Sequence, residues 1–319
     1  MSFSDTMASL SNGFVYSAIA VYALALLAYS AEAAGRAARR HVVLVPAATA
    51  AVNSPTTPEP EPAPDGWRRL GAIGTSMTVL GFLLNLAGVA ARGLAAQRAP
   101  WGNMYEFAIV GALAAGGAYL FFLSRRPVRD FGVWIVAIVL LALGLAVTVL
   151  YTPVDALVPV LNSYWLVIHV AAAISAGGIF TVGAVATALF LVRTRAETRA
   201  KERGGDVDGR YAASLPPSTT LGHVAHAAHM FAFPIWTFAV LAGAIWAENS
   251  WGRYWGWDPK ETWAFITWVL YAAYLHAAST SGWRGVRASW FALAGYAAFM
   301  FNFVGVNLWI TGLHSYAGV

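Results

Sequence analysis

The chain has 319 residues, 59% hydrophobic and only 11% charged, against about 25% charged in soluble domains, so it is excluded from the ordinary soluble globular class. Its formal charge of +5 is spread over short connections between long apolar runs, not gathered on one face, which argues against a nucleic-acid binder. There is no cysteine, which excludes a disulfide framework, a thiolate metal site and a thiol nucleophile on this chain.

Eight stretches reach the roughly 20 apolar residues that a membrane-spanning helix needs. They run from Phe14 to Ala33, Leu70 to Ala91, Tyr105 to Ser124, Phe131 to Leu150, Leu166 to Val192, Met230 to Ala247, Trp263 to Ser281 and Ala288 to Ile310. The expected fold is an all-α, polytopic transmembrane helix bundle of about eight spans. Residues 1 to 13 hold no Lys or Arg, and the apolar run after them exceeds a signal-peptide core, so the first span reads as a retained anchor. Alternate connections carry very different charge. The first, third, fifth and seventh hold sixteen Lys and Arg; the other side holds four, Arg92, Arg98, Arg253 and Lys260. Basic residues are retained on the cytoplasmic face, which places both termini outside the cytoplasm. The segment NSPTTPEPEPAPDG from Asn53 to Gly66 reads as an extended linker. The chain therefore divides into residues 1–69, a first helix and cytoplasmic linker, and residues 70–319, which carry the chemistry.

That chemistry collects on the outer face. The run from Trp246 to Trp263 places Trp246, Trp251, Tyr254, Trp255, Trp257 and Trp263 within 18 residues, interrupted by Gly252, Gly256 and Pro259 and interleaved with Glu248, Asp258, Lys260 and Glu261. An interfacial aromatic belt needs only one or two rings per helix end, so a ring-rich shelf is expected here. His169 lies about one turn inside the outer end of the fifth span, and His314 follows the eighth by a few residues. Taken singly, each reads as an ordinary interfacial histidine. Paired at matching depth beside a flat aromatic surface, they read as axial ligands of a haem. His276, thirteen residues after Trp263, falls about 20 Å below the outer face at 1.5 Å per residue, where ionisable groups are rare and usually functional. No second spanning histidine shares that depth, so an opposite ligand would come from another protein. His223, His226 and His229 recur every third residue before the sixth span, a spacing open both to a metal site and to a polar interfacial turn; His41 receives no role.

The run WGRYWGWDP from Trp251, followed by KETW and then by His276, resembles the tryptophan-rich WWD signature of haem-handling membrane proteins. WGNMYEF from Trp101, NSYWLVIHV from Asn162, GAIWAENSWG from Gly243, ITWVLYAAYLH from Ile266 and NLWITGLHSYAG from Asn307 extend the resemblance to the CcsA (ResC) family of the System II cytochrome c pathway, across most of residues 70 to 319. The resemblance implies transport of haem b to the outer face and its attachment to the CxxCH thiols of apocytochrome c. It also implies a CcsB (ResB)-like membrane subunit and a thioredoxin-like reductant of the apocytochrome. It makes His169 and His314 the outer axial ligands and His276 the membrane-embedded one. Trp246, Trp251, Trp255, Trp257, Asp258 and Trp263 become cofactor-binding residues, and no catalytic nucleophile is assigned. The weighed alternatives are a haem exporter without ligase activity resembling CcmC, a dihaem b-type electron carrier, and a small-molecule transporter gated by the aromatic shelf. Ala- and Arg-rich usage points to a bacterial cytoplasmic membrane over a thylakoid.

Overall fold

The computed structural model describes residues 2–44, 66–126, 128–155, 161, 163–207 and 210–314. Its elements are helices: α1 (Phe3–Leu44), α2 (Gly66–Ala96), α3 (Met104–Arg125), α4 (Gly132–Thr148), α5 (Tyr164–Arg203), the short α6 (Arg210–Ser214), α7 (Ser218–Trp251), α8 (Pro259–Ser279), α9 (Val286–Met300) and α10 (Val306–Trp309). A 3-10 turn at Arg129–Phe131 leads into α4, and a π-helical turn at Phe301–Gly305 joins α9 to α10. Among the described residues there is no strand. The all-α membrane bundle is therefore the fold.

Seven of the eight expected spans are long and apolar enough to cross a membrane. The eighth, α8, has 21 residues, or about 32 Å at 1.5 Å per residue, and so also has the length. It is less apolar because it opens on Lys260, Glu261 and Thr262 and carries five aromatic residues among its next twelve. The Pro-rich linker lies, but for Gly66, outside the described residues.

Three long helices overrun the expected bounds, and α7 starts twelve residues early, so that His223, His226 and His229 lie inside it. α1 has 42 residues and α5 has 40, about 60 Å each, twice what the hydrocarbon layer requires. Hydropathy marks only the immersed part; beyond it the chain stays helical because Ala, Arg, Glu and Lys are good helix formers and pair one turn apart, as Arg193 does with Glu197 at 2.6 Å. The α5 extension is tied to the following chain, since Arg193 donates to the Ala212 carbonyl at 2.7 Å and Glu197 accepts from the Ser218 hydroxyl. α6 in turn packs on α1.

The bundle has two halves. In the first, α1 and α2 form a long hairpin whose seam on α2 is Gly71, Gly74, Thr78, Gly81, Asn85 and Gly88, all buried. Small residues at such intervals let backbones approach in lipid, where packing and not the hydrophobic effect drives association. α3 and α4 complete this half. Its inner end is pinned by buried Glu32, which forms an ion pair with Arg129 at 2.8 Å. In the second half α5 packs along α7, and α8 along α9. The halves meet where α3 crosses α5, with Gly178 against the Ala114 backbone.

Candidate functional site

Three positions on one face of α7 build one wall of the site. Ala239, Gly243 and Trp246 stand four and then three residues apart, so they share a face. The Ala239 carbonyl accepts from His169 Nδ1 of α5 at 2.7 Å. Gly243 admits the imidazole, because a Cβ there would lie 2.7 Å from His169 Nδ1 and Cε1. The Trp246 ring lies parallel to His169, 4° between planes and 6.5 Å between centroids. Trp246 is itself fully buried.

The opposite wall comes from the start of α8 and the tail after α10. α7 stops at Trp251, with Gly252 in the left-handed conformation as its cap. The loop then turns into α8 through Asp258, whose carboxylate accepts from Lys260 N at 2.9 Å while the Glu261 side chain accepts from Asp258 N at 3.1 Å, a capping box ahead of Pro259. The same carboxylate reaches across to the tail, accepting from Leu313 N and from His314 Nδ1, each at 2.8 Å. Burial opposes ionisation of Asp258, but the His314 hydrogen bond and charge and the two backbone N–H groups outweigh it and hold its carboxyl down at about 2. His314 is thereby set against Trp251 (4.9 Å) and Trp246 (5.7 Å).

Between these walls lies a cavity of about 400 Å³, within the range of sites for organic ligands. Its outer rim includes Trp101, Tyr254 and Trp255, and its deep end Thr181, Tyr296 and Phe299. From His169 to Thr181 the α5 wall descends about 18 Å. On one side it is bounded by Leu141 and Leu145 of α4 and by Val149 just after it, all of them exposed.

The structure thus brings together His169, His314, Trp246, Trp251 and Trp255 at one cavity, with Asp258 behind His314. Two of the expected rings stand elsewhere. Trp257 is 63% exposed at a backbone φ of +59°, a strained angle for a bulky residue, and meets Trp255 and Phe265 edge-on. Trp263 packs on Phe301 at 4.3 Å. His276 lies in the last turn of α8, exposed on the bundle surface and about 26 Å along the helix from Pro259, so it stands apart from this cavity. His223 and His226 are exposed, whereas His229 is buried among Phe180, Tyr271 and Tyr274 with Nε2 3.0 Å from the Thr187 hydroxyl. Among the described residues no three His or carboxylate groups come together as a metal site.

One buried network was not foreseen. Glu106, fully buried in the first turn of α3, accepts from Arg92 Nε at 2.9 Å, Arg98 Nη1 at 2.7 Å and Gly102 N at 2.7 Å. Asn103 caps the helix by accepting from Glu106 N at 2.9 Å, and Arg92 donates to the Thr152 carbonyl at 2.7 Å. This holds the loop that carries Trp101 to the rim. The signal was present in WGNMYEF, where an acidic residue sits three after an Asn and just ahead of an apolar run.

Residues 101–314 match the family described as cytochrome C assembly protein. The cytochrome c biogenesis protein CcsA of Synechococcus elongatus is 33% identical over 288 residues, which cover 77% of this chain and 88% of that one. CcsA of a Synechocystis species is 33% identical over 304 residues, covering 79% and 90%. CcsA of Guillardia theta is 37% identical over 169 residues, half of this chain and 56% of that relative. Among solved structures, the cytochrome c haem lyase CcmF superposes on 93% of this chain with a TM-score of 0.62 at 19% identity, and this chain covers 46% of its length, so the two share a fold. With the family match covering two thirds of its length and CcsA relatives aligned over most of theirs, the chain belongs to the cytochrome c assembly protein family.

Proposed function

We propose that residues 70–319 hold haem b as cargo in the outer cavity, with His169 and His314 as its axial ligands. The chain then presents the haem edge to the CxxCH thiols of apocytochrome c, acting as the CcsA-type subunit of a System II cytochrome c synthase in a bacterial cytoplasmic membrane. The observation that carries this reading is the hydrogen bonding of the two imidazoles. Both Nδ1 atoms face oxygen acceptors, the Ala239 carbonyl and the Asp258 carboxylate, so both donate there, and in the neutral form of each ring it is Nε2 that holds the lone pair. A second-shell acceptor on the far nitrogen is the usual companion of a metal-bound histidine. An apolar, ring-lined cavity between two such histidines fits a flat macrocycle with a central metal.

The protein supplies position and no nucleophile. In thioether formation the cysteine sulfur bonds to one vinyl carbon and the thiol proton goes to the other, so nothing leaves and no net oxidation occurs. Holding the vinyl edge beside the incoming thiols makes the encounter nearly unimolecular. A thioredoxin-like protein would keep those thiols reduced beforehand. His276, on the bundle surface near the inner end of α8, is assigned to an earlier haem position shared with a CcsB-like subunit that contributes the other ligand.

The test is the optical and pyridine haemochrome spectrum of the detergent-purified chain, with and without such a subunit. A low-spin b-type spectrum is expected, lost in His169→Ala and His314→Ala. His276→Ala should lose only the haem that depends on the second subunit. A chain that takes up no haem in any preparation sinks the proposal. Covalent haem on a co-expressed apocytochrome separates the synthase from a haem exporter.

A further inference from the structure

The charged groups around the loop divide into those already engaged, Glu261 among them although it too lines the cavity, and one that no carboxylate pairs with. Asp258 accepts from His314 and two backbone amides. Glu261 accepts from Arg253 Nη1 at 3.0 Å, Gly256 N at 2.8 Å and Asp258 N at 3.1 Å. Arg253 serves Glu261 and lies over the Trp251 ring at 5.6 Å. Neither carboxylate is available to a ligand, and neither would face an anion without an intervening cation.

Lys260 is the exception. It lines the cavity, and its Nζ donates to the backbone carbonyl of Asn302 at 3.2 Å. An ammonium has three N–H donors, and among the described residues no carboxylate comes within ion-pair distance of this one. Asn302 lies in the π-helical turn, an element that recurs at functional sites because it redirects side chains and carbonyls out of the regular ladder. Its side chain is only 7% exposed, lines the same cavity, and has an Oδ1 with no hydrogen-bond partner. Buried polar atoms are nearly always paired. An ammonium with spare donors at the wall of a largely apolar chamber lacks an anionic guest, and the Asn302 amide beside it is left with a buried oxygen that no donor serves.

We infer that Lys260 and Asn302 form the carboxylate-recognising subsite of the outer cavity. The inference rests on the haem reading and deepens it. The peripheral charges of haem are its two propionates, on the edge opposite the vinyls. Lys260 pairs with a propionate oxygen, and the Asn302 amide, turned so that its NH2 faces the guest, donates to the same group. Two haem orientations related by rotation about the axial bonds would otherwise be nearly equivalent to the aromatic walls. The subsite selects the one whose vinyl edge points away from α8.

The experiment compares ferric haem with haem dimethyl ester, which keeps the iron, ring and vinyls and lacks the carboxylate charges, each titrated spectroscopically into the detergent-purified full chain. Wild type should bind haem about tenfold or more tightly than the diester, the scale of one charge-assisted hydrogen bond. Lys260→Met should bring that ratio close to one by weakening haem alone, and Lys260→Arg should keep it. Asn302→Asp, nearly isosteric, should weaken haem and spare the diester, which carries the test whatever the stability of K260M. Equal binding of both ligands by wild type, or equal weakening of both by Lys260→Met and Asn302→Asp, overturns the subsite while leaving the haem site standing. Binding of neither by wild type overturns both.

Discussion

Replacing Asp258 by Asn separates two jobs that one carboxylate performs. As a helix cap the change is nearly neutral, since Asn and Asp cap about equally well, and Lys260 N still finds an acceptor. Across the gap to the tail it is not neutral. The carboxylate accepts from His314 Nδ1 through one oxygen and from Leu313 N through the other, each at 2.8 Å, but an amide has one oxygen and one NH2. With its oxygen kept toward Lys260 N and His314 Nδ1, which share one acceptor, the NH2 faces Leu313 N and pushes the tail away; turned over, it faces both of the others. A hydrogen bond to a charged group is worth about 1.5–3 kcal/mol, and a buried N–H left unpaired costs about 1–3 kcal/mol. Part of this is relieved by movement of the tail, so haem affinity at the proposed outer site should fall by about 10- to 100-fold, the range found where a metal-ligating histidine loses the acceptor on its other nitrogen. The assay is a haem titration of the detergent-purified variant with the low-spin spectrum as readout, beside a thermal melt. The expected result is weakened haem binding with a melting temperature close to wild type. A melt that drops while haem affinity stays unchanged would show that Asp258 is a cap and nothing more.

Gly243→Ala puts a Cβ 2.7 Å from two atoms of the His169 ring, so the imidazole must leave the Ala239 carbonyl; outer-site haem should fall nearly as far as in His169→Ala, and an unchanged low-spin spectrum would refute the placement. Glu106→Gln strips the counter-charge from Arg92, which is 1% exposed; breaking such a buried pair costs about 3–5 kcal/mol, read as a melting temperature lower by at least about 5 °C. A melt within error of wild type would mean that the network is solvated. Trp257→Gly relieves a left-handed backbone angle worth about 1–2 kcal/mol and removes a ring outside the cavity, so the melt should rise with haem binding kept, whereas Trp251→Ala should lower haem binding. Loss of haem in the first would place Trp257 at the site after all.

The spans and the outer face could be read from the chain because immersion is a local property of apolar runs and because basic residues sort by side. The cluster from Trp246 to Asp258 could be read as a ring-rich shelf because its rings are concentrated in one short run. Ring positions could not be read in this way. Trp246 and Trp251 point as α7 dictates, but after Gly252 each ring depends on one loop dihedral, and the positive φ at Trp257 turns it outward. Trp263, already on α8, faces Phe301 because of a helix register fixed at Asp258. Asn302 escaped notice because a π turn looks like any other helical sequence. Lys260 appeared only as one of several charges until its neighbours were seen to have satisfied one another.

The two histidines at the cavity rest on supports of unequal stiffness. His169 projects from a 40-residue helix pressed between α3 and α7, and shifting it would shear both halves of the bundle. His314 hangs on the short stretch after α10, latched through the loop carboxylate and two tryptophan edges. A guest gripped from both sides is therefore released asymmetrically. If the outer cavity holds haem as proposed, an incoming histidine would take its place by lifting the latch from the side of the tail, while the histidine on α5 would keep the other face anchored.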